Sequence, residues 1–354
     1  MRSVARAASM AVLAMLAGVV RPAPAQQRPD GVLGVVRAGG AKIPYAVVEL
    51  GTSMQFGDDS GAFLFTHVAP GRVRLYVRQV GFRPFDTTLV KVPGVPIVLA
   101  VAMEPLVIEL AAIQVQVPRS CSAPGPPDST ISPQLAAVFD QLRQNAERYA
   151  FLADSYPYHY RMSRAFADYD LQGKVVWSQA DTVRLLSSAR SAYRPGRVLF
   201  LGPGPDQKLD TLIRLPTLAD LADSAFQANH CFYYAGTIDS DSGRFVRFDY
   251  TPGDSLRYPD VSGEVDLDAR SFQIRYATIH LTRVGRAMPG LVSTSSTIRF
   301  AELYPNIVVP IHMEGQLVPE PRADVRTPII RSTETWQLLD VHFERPLPGM
   351  HQGP

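Results

Sequence analysis

The chain has 354 residues, of which 46% are hydrophobic, so it can bury the cores of about two domains. Its 35 basic and 33 acidic residues nearly balance, and no basic stretch is interleaved with aromatic residues, so we expect no nucleic-acid partner. The 30 prolines and the scarcity of helical periodicity favour a mainly β fold.

Residues 1–25 are typical of a secretory signal peptide. Arg2 and Arg6 precede an apolar run from Ala7 to Val20, and Ala23-Pro24-Ala25 supplies the small residues of a cleavage site. Cleavage there would remove three of the 35 basic residues and none of the 33 acidic ones, leaving a net charge of about −1. We therefore expect an exported protein that is periplasmic, associated with the outer membrane, or extracellular. No later run approaches ~20 apolar residues, so no transmembrane segment is expected in the mature chain.

Residues 31–117 carry short segments of period-two alternation separated by Gly and Pro turns, which is typical of a small β-sandwich. In one of these segments Val73, Leu75 and Val77 would share one face of a strand. Leu106–Val117 shows the same alternation and is predicted to be the last strand of the sandwich.

The turns and strands of this region share a set of motifs with one known family. They are Gly34-Val35-Val36, Ala46-Val47-Val48-Glu49-Leu50, Asp59-Ser60-Gly61-Ala62-Phe63, Pro70-Gly71 and Val77-Arg78-Gln79-Val80-Gly81-Phe82. The segment thereby resembles the carboxypeptidase regulatory-like family. The resemblance implies a seven-stranded, transthyretin-like or immunoglobulin-like sandwich that accompanies catalytic domains without carrying catalysis itself.

A second domain is predicted over residues 132–347, after a linker rich in Pro and Ser at residues 118–131. Ser132 suits the N-cap of a helix and Pro133 its first turn, and apolar residues at helical spacing continue to about Ser155. The chain then consists of alternating strands joined by short turns, with a further helical segment over residues 218–229. We predict an antiparallel β domain with one or two helices packed on it.

Two hairpins in this domain resemble a second family. They are Gly263–Ile274, with the pattern Gly-x-Val-x-Leu-Asp-x-x-Ser-Phe-x-Ile, and Phe300–Pro310. Both are similar to outer-membrane lipoprotein carrier-like envelope domains. That resemblance implies an open half-barrel of strands wrapped over helices around an apolar cavity.

The two cysteines, Cys121 and Cys231, are predicted to form a disulfide between the linker and the second domain. An exported protein favours this pairing, because free thiols are a liability in an oxidising compartment. Two unpaired thiols are the alternative.

No residue set predicts catalysis, a cofactor or a metal site. A zinc peptidase of the first family would need His-x-x-Glu, and none of the seven histidines is followed by Glu three residues later. His312-Met313-Glu314 and His342-Phe343-Glu344 place two ligands on one strand face but lack a third, so we interpret them as polar strand faces.

Two other motifs also favour a structural interpretation. Asp239-x-Asp241-x-Gly243 lacks the distal ligands of a calcium loop and is typical of a hairpin turn. Gly57-Asp58-Asp59-Ser60-Gly61 does not match the Gly-x-Ser-x-Gly nucleophile pattern, and the hairpin interpretation explains it fully.

Two aromatic groups are the candidate ligand contacts. They are Tyr156, Tyr158 and Tyr160, and Phe232, Tyr233 and Tyr234. Such rings can stack on a sugar or line a groove, but aromatic residues are also ordinary half-buried strand residues.

The sequence therefore predicts an exported cell-envelope protein with a non-catalytic binding or scaffolding role. The expected partner is an envelope protein, a glycan or a lipid, and the concave face of the second domain is a hypothetical site for an apolar ligand. The alternatives are a metal-dependent hydrolase or carboxypeptidase-associated protein, and an accessory of an outer-membrane transporter.

Overall fold

The computed structural model describes residues 30–113, 115, 120–189, 192–203, 209–214, 216–321 and 328–350. Across these residues the fold is mainly β, as predicted, and nearly all neighbouring strands are antiparallel. The predicted signal peptide lies outside the described residues. No helix in the described part of the chain is both long enough and apolar enough to cross a membrane.

Two small facing sheets form the first part of the fold. Their strands are β1 (Val32–Ala38), β2 (Ala41–Lys42), β3 (Val47–Leu50), β4 (Ser53–Phe56), β5 (Ala62–Phe65), β6 (Gly71–Arg78), β7 (Phe85–Lys91) and β8 (Ile97–Ala102). One sheet has the order β2-β1-β5 with β8 parallel to β1, and the other has the order β4-β3-β6-β7. Leu75 and Val77 of β6 are fully buried between the sheets, and they belong to a small hydrophobic core that the sandwich forms by itself.

The sandwich differs from the prediction in two details. The described residues contain eight strands rather than seven, because Ala41–Lys42 makes a short antiparallel pair with β1. The prediction of a strand over Leu106–Val117 is wrong for its described residues, in which Leu110–Ala112 is a short 3-10 helix. Ile108 and Leu110 pack against the core of the second domain instead, so their apolar side chains are buried without strand pairing.

A 23-residue helix, α1 (Pro133–Ser155), follows the connecting segment, with Pro133 in its first turn. Leu135, Val138, Phe139 and Leu142 are buried on one side of it, as the helical spacing of these residues requires. Cys121 and Cys231 form a disulfide that ties the connecting segment to the second domain.

A nine-stranded antiparallel sheet makes up most of the region predicted to be the second domain, a name we keep for it. Its strands are β9 (Tyr158–Tyr169), β10 (Val175–Leu186), β13 (His230–Ser240), β14 (Gly243–Pro252), β15 (Val261–Asp268), β16 (Ile274–Leu281), β17 (Leu291–Tyr304), β18 (Ile307–Pro319) and β19 (Arg331–Phe343). Their order is β10-β9-β19-β18-β17-β16-β15-β14-β13. The two edge strands, β10 and β13, do not pair with each other, so the sheet is not closed into a barrel.

Short elements cover part of the same face of this sheet as α1. They are the hairpin of β11 (Leu199–Pro203) and β12 (Leu209–Ile213), a 3-10 helix at Leu218–Ala222, α2 (Ser224–Asn229) and α3 (Val284–Ala287). Asp223 caps α2 by accepting hydrogen bonds from two backbone N–H groups. The main core lies between α1, these elements and strands β13–β17.

The sandwich packs against the opposite side of α1. Phe56 of β4 is 1% exposed, and its ring centroid lies 4.9 Å from that of Phe151 and 5.4 Å from that of Tyr156. Gly81, with φ of +83°, lies against the second domain, where a Cβ would come within 2.8 Å of the Ser271 carbonyl oxygen. Only glycine fits this backbone, which gives the Val-Gly-Phe motif a role at the interface.

Arg148 of α1 joins three parts of the molecule. Its guanidinium donates to the Tyr45 carbonyl oxygen at 2.5 Å, to Gln79 Oε1 at 3.0 Å and to the Asn306 carbonyl oxygen at 2.8 Å. It also lies 4.9 Å from the centroid of the Phe56 ring. Burial lowers the pKa of Arg148 to about 9, so the guanidinium is still charged at neutral pH. We call this group of contacts the Arg148 hub.

Candidate ligand-binding cavity

A cavity of about 580 Å³ lies on the concave face of the nine-stranded sheet, in the part that α1 leaves uncovered. Its floor consists of strands β9 and β16–β19, with Trp177 of the edge strand β10 at one side. The β11–β12 hairpin contributes Phe200, Leu212 and Ile213 from above. A volume of this size is within the range of small-molecule sites in proteins.

The strand register arranges the floor in lateral rows of side chains. One row contains Asp168, Ser332, Leu317 and Thr294, and the next contains Phe166, Glu334, Gly315, Ser296 and Ile279. A third row contains Arg164, Trp336, Met313 and Ile298. Because directly opposed residues in antiparallel strands share a face, each row crosses from the polar side at β9 to the apolar side at β16 and β17.

The apolar side of the cavity is formed by aliphatic residues of the sheet and of its cover. Ile279 and Leu281 of β16 are 4% and 5% exposed, and Met288, Leu212 and Ile213 lie across from them. These side chains offer no hydrogen bond, so this part of the cavity is suited to an alkyl chain.

The polar side of the cavity is held by charged residues of β9, β10 and β19. Arg164 donates to both carboxylate oxygens of Asp181, Nε to Oδ1 at 3.0 Å and Nη2 to Oδ2 at 2.6 Å. Its guanidinium lies 5.0 Å from the Phe166 ring centroid and 5.2 Å from that of Trp336. The ion pair and the two rings fix the arginine in one position.

Two further carboxylates line the same side. Asp168 accepts a hydrogen bond of 2.6 Å from the Ser332 hydroxyl. Burial raises the pKa of Glu334, while Trp336 and Arg164 oppose that rise. Among the described residues, no cationic side chain lies within 4 Å of either Asp168 or Glu334.

Gly315 leaves space at the centre of the floor. Its neighbours in the row are Glu334 and Ser296, and a Cβ placed on Gly315 would touch Ser296 Oγ at 3.4 Å and the backbone and Cβ of Glu334 at longer distances. Both tryptophans of the chain, Trp177 and Trp336, line this cavity. Their fluorescence therefore reports directly on its contents.

Five of the six aromatic residues predicted from the sequence lie in two packed regions, Tyr233 lies outside both, and none of the six lines this cavity. Tyr156 and Tyr158 are buried in the cluster that joins the sandwich to the second domain, and burial raises the pKa of the adjacent Tyr160 to about 12. Phe232 and Tyr234 belong to the main core, whereas the Tyr233 hydroxyl donates to the Ser120 carbonyl oxygen.

The histidine motifs lie apart from the cavity. Nδ1 of His312 is 3.1 Å from Gln337 Oε1, and His342 is paired in register with His159, whose Nε2 lies 2.8 Å from Glu344 Oε1. Over the described part of the chain, no three His, Cys, Asp or Glu side chains are grouped as metal ligands would be.

The other two motifs lie in turns. Asp239, Asp241 and Gly243 are at the turn between β13 and β14. The carboxylate of Asp58 accepts hydrogen bonds from the Ser60 N–H, the Ser60 hydroxyl and the Ala62 N–H, which shapes the turn before β5.

The residues that line the cavity were not identified from the sequence, although the strands of its floor were. The signal is the composition of single strand faces. Arg164, Phe166 and Asp168 share one face of β9, and Ser332, Glu334 and Trp336 share one face of β19. A strand face that carries both charged and large aromatic side chains is typical neither of a hydrophobic core nor of a solvent-exposed surface. Such a mixture indicates that the face lines a cavity.

A second, larger groove of about 960 Å³ lies between the sandwich and α1. The charged side chains there already have partners. Arg78 pairs with both Glu49 and Glu147, and Arg148 belongs to the hub described above. The concave face thus offers the more apolar of the two spaces.

No family model matches the chain, and no curated protein does. Among solved structures, it is similar to a LolA superfamily protein from Nitrosomonas europaea, with 12% identity, a TM-score of 0.34, and coverage of 59% of this chain and 94% of the other. It is also similar to a domain from Vibrio parahaemolyticus described as an outer-membrane lipoprotein-sorting protein, with 10% identity, a TM-score of 0.35, and coverage of 61% and 93%.

A DUF1329 family protein from Desulfovibrio piger is similar at 10% identity, with a TM-score of 0.31 and coverage of 59% and 92%. The covered share leaves about two fifths of this chain unmatched in each case. Likenesses at these scores assign neither a family nor a function to the chain.

Proposed function

We propose that this protein is an exported, non-catalytic binding or carrier protein of the cell envelope that holds an amphipathic molecule in its concave cavity. The observation that carries the proposal is the cavity itself, about 580 Å³ in volume, with aliphatic walls on one side and charged groups on the other. A molecule with an alkyl chain and a polar end would satisfy both sides.

The sandwich has a supporting role in this proposal. Its β4-β3-β6-β7 sheet packs on α1, and α1 covers the part of the concave face beside the cavity. We propose that it fixes the helix and so keeps the uncovered half at constant size. The resemblance to carboxypeptidase regulatory-like modules agrees with a non-catalytic role for this part.

The direct test is to purify the full-length protein from envelope fractions, extract it with organic solvent and identify bound molecules by mass spectrometry. We expect an amphipathic molecule at a constant ratio to protein. The matched control is Gly315→Leu, which puts a side chain into the middle of the floor. An extract of the natural protein without such a molecule, combined with no response of tryptophan fluorescence to decyl maltoside, would refute the proposal.

A further inference from the structure

Among the described residues, the charges at the polar side of the cavity do not balance. Asp168 and Glu334 line it beside Arg164, and Asp181 adds a third carboxylate as the ion-pair partner of Arg164. The pair between Arg164 and Asp181 is bidentate and neutralises both. Asp168 and Glu334 are then two carboxylates on the polar side of the cavity without an ion-pair partner among the described residues. The Ser332 hydroxyl donates a hydrogen bond to Asp168.

These two carboxylates are close enough to act together. Asp168 is opposed to Ser332 in register, and Glu334 follows two residues later on the same face of β19. Diagonal neighbours of this kind have Cα atoms about 7–8 Å apart. One cationic group placed between them would lie near both carboxylates.

The aromatic rings of this wall also favour a cation. Arg164 lies over Phe166 and Trp336 at distances at which ring faces attract a positive charge. Trp177 is 41% exposed and is opposed to Asp168 in register, so it offers a further ring at the open side. An ammonium group beside Asp168 would have carboxylate and aromatic neighbours at once.

We propose that the cavity selects an amphipathic molecule whose polar group is an ammonium, with its alkyl chain along Ile279, Leu281 and Ile213. The inference rests on the proposed function, because it names the class of ligand for the same cavity. A carboxylate or phosphate head in this position would meet two negative charges and is disfavoured.

The test uses three probes with the same ten-carbon chain: decyltrimethylammonium, decanoate and decyl maltoside. Each is titrated into the full-length protein below its micelle concentration, and binding is followed by tryptophan fluorescence and calorimetry. We expect the ammonium probe to bind at least about tenfold more tightly than decanoate, and the affinity of decyl maltoside to lie between the two.

Two variants locate the effect. Glu334→Gln together with Asp168→Asn removes the negative charge with little change in shape, and we expect it to abolish the preference for ammonium over decanoate. Glu314→Gln is the matched control, because Glu314 is exposed on the strand next to β19 and does not line the cavity. Glu334→Gln alone serves if the double variant does not fold, with circular dichroism as the check.

The outcomes separate this inference from the proposed function. Equal binding of all three probes, or a preference that survives Glu334→Gln and the double variant, would overturn the ammonium assignment and leave the carrier proposal standing. Failure of all three probes to bind, together with an extract of the natural protein that holds no amphipathic molecule, would overturn both.

Discussion

The Arg148 hub gives the sharpest prediction about what holds the two parts of the molecule together. Replacing Arg148 with methionine keeps most of the apolar stem and removes three hydrogen bonds, to Tyr45, Gln79 and Asn306. A net contribution of about 1 kcal/mol per hydrogen bond gives about 3 kcal/mol. Release of the guanidinium from its buried position offsets part of the loss, whereas the three unpaired acceptors add to it.

The prediction is therefore that Arg148→Met lowers the free energy of unfolding by about 3 kcal/mol, measured by urea denaturation. The control is Arg161→Met, because Arg161 pairs with Asp340 at the surface, where their side chains are 55% and 49% exposed. That substitution should cost less than ~1 kcal/mol. If both variants lose the same free energy within error, the hub does not couple the sandwich to the second domain and the reasoning fails.

Three further predictions concern the disulfide, the cavity floor and the buried glutamate. Replacing Cys121 and Cys231 with serine should lower the free energy of unfolding by about 2–4 kcal/mol, because the bond closes a loop with a sequence separation of 110; an unchanged urea midpoint under reducing conditions would contradict this. Gly315→Leu should weaken decyl maltoside binding at least tenfold by filling the floor, with Gly285→Leu in the exposed helix α3 as the control, and full binding by the Gly315 variant would exclude this position from the site. Burial raises the pKa of Glu334 in the folded state, so the folded protein binds a proton more tightly there than the unfolded chain. The contribution of this residue to stability is accordingly present below the ordinary glutamate pKa of about 4.3 and is lost as the pH rises through the raised value. Glu334→Gln should therefore gain stability over the natural protein at pH 8 but not at pH 4, and equal differences at both values would show that Glu334 has an ordinary pKa.

The strands were predictable from the sequence because each carries its own signal. Val73, Leu75 and Val77 alternate with polar residues, and their alternation matches the burial of β6. The same holds for α1, whose apolar spacing and Pro133 together determine where the helix begins and which side it buries. Local periodicity is enough to predict an element and its buried face when that face packs on a single continuous core.

The cavity was not predictable in the same way, because it depends on the register between strands far apart in the chain. Glu334 is brought beside Phe166 and Gly315 by pairing across 168 and 19 positions, and no local pattern records those distances. The β11–β12 hairpin was also missed, since Leu199–Pro203 and Leu209–Ile213 alternate too briefly to be separated from loop. Leu106–Val117 shows the opposite error, because a strand was predicted there and none forms among its described residues. Its apolar residues Ile108 and Leu110 pack on the main core instead.

The position of α1 explains why the space is on one half of the sheet. One side of the helix is buried against β13–β16, where Asn145 bonds to the backbone of Phe272 and Ile274 at 2.8 Å and 3.0 Å. Its other side is held by the sandwich through Phe56 and Arg148. A helix fixed from both sides cannot shift across the sheet to fill the face beside it. The uncovered half must be filled by side chains or remain open. The residues at the centre of its floor are Gly315, Ser296 and Ser332, and their side chains are too small to fill it. The cavity therefore follows from the docking of the sandwich as much as from the curvature of the sheet, and loosening that docking should alter ligand affinity without any change to a residue that lines the cavity.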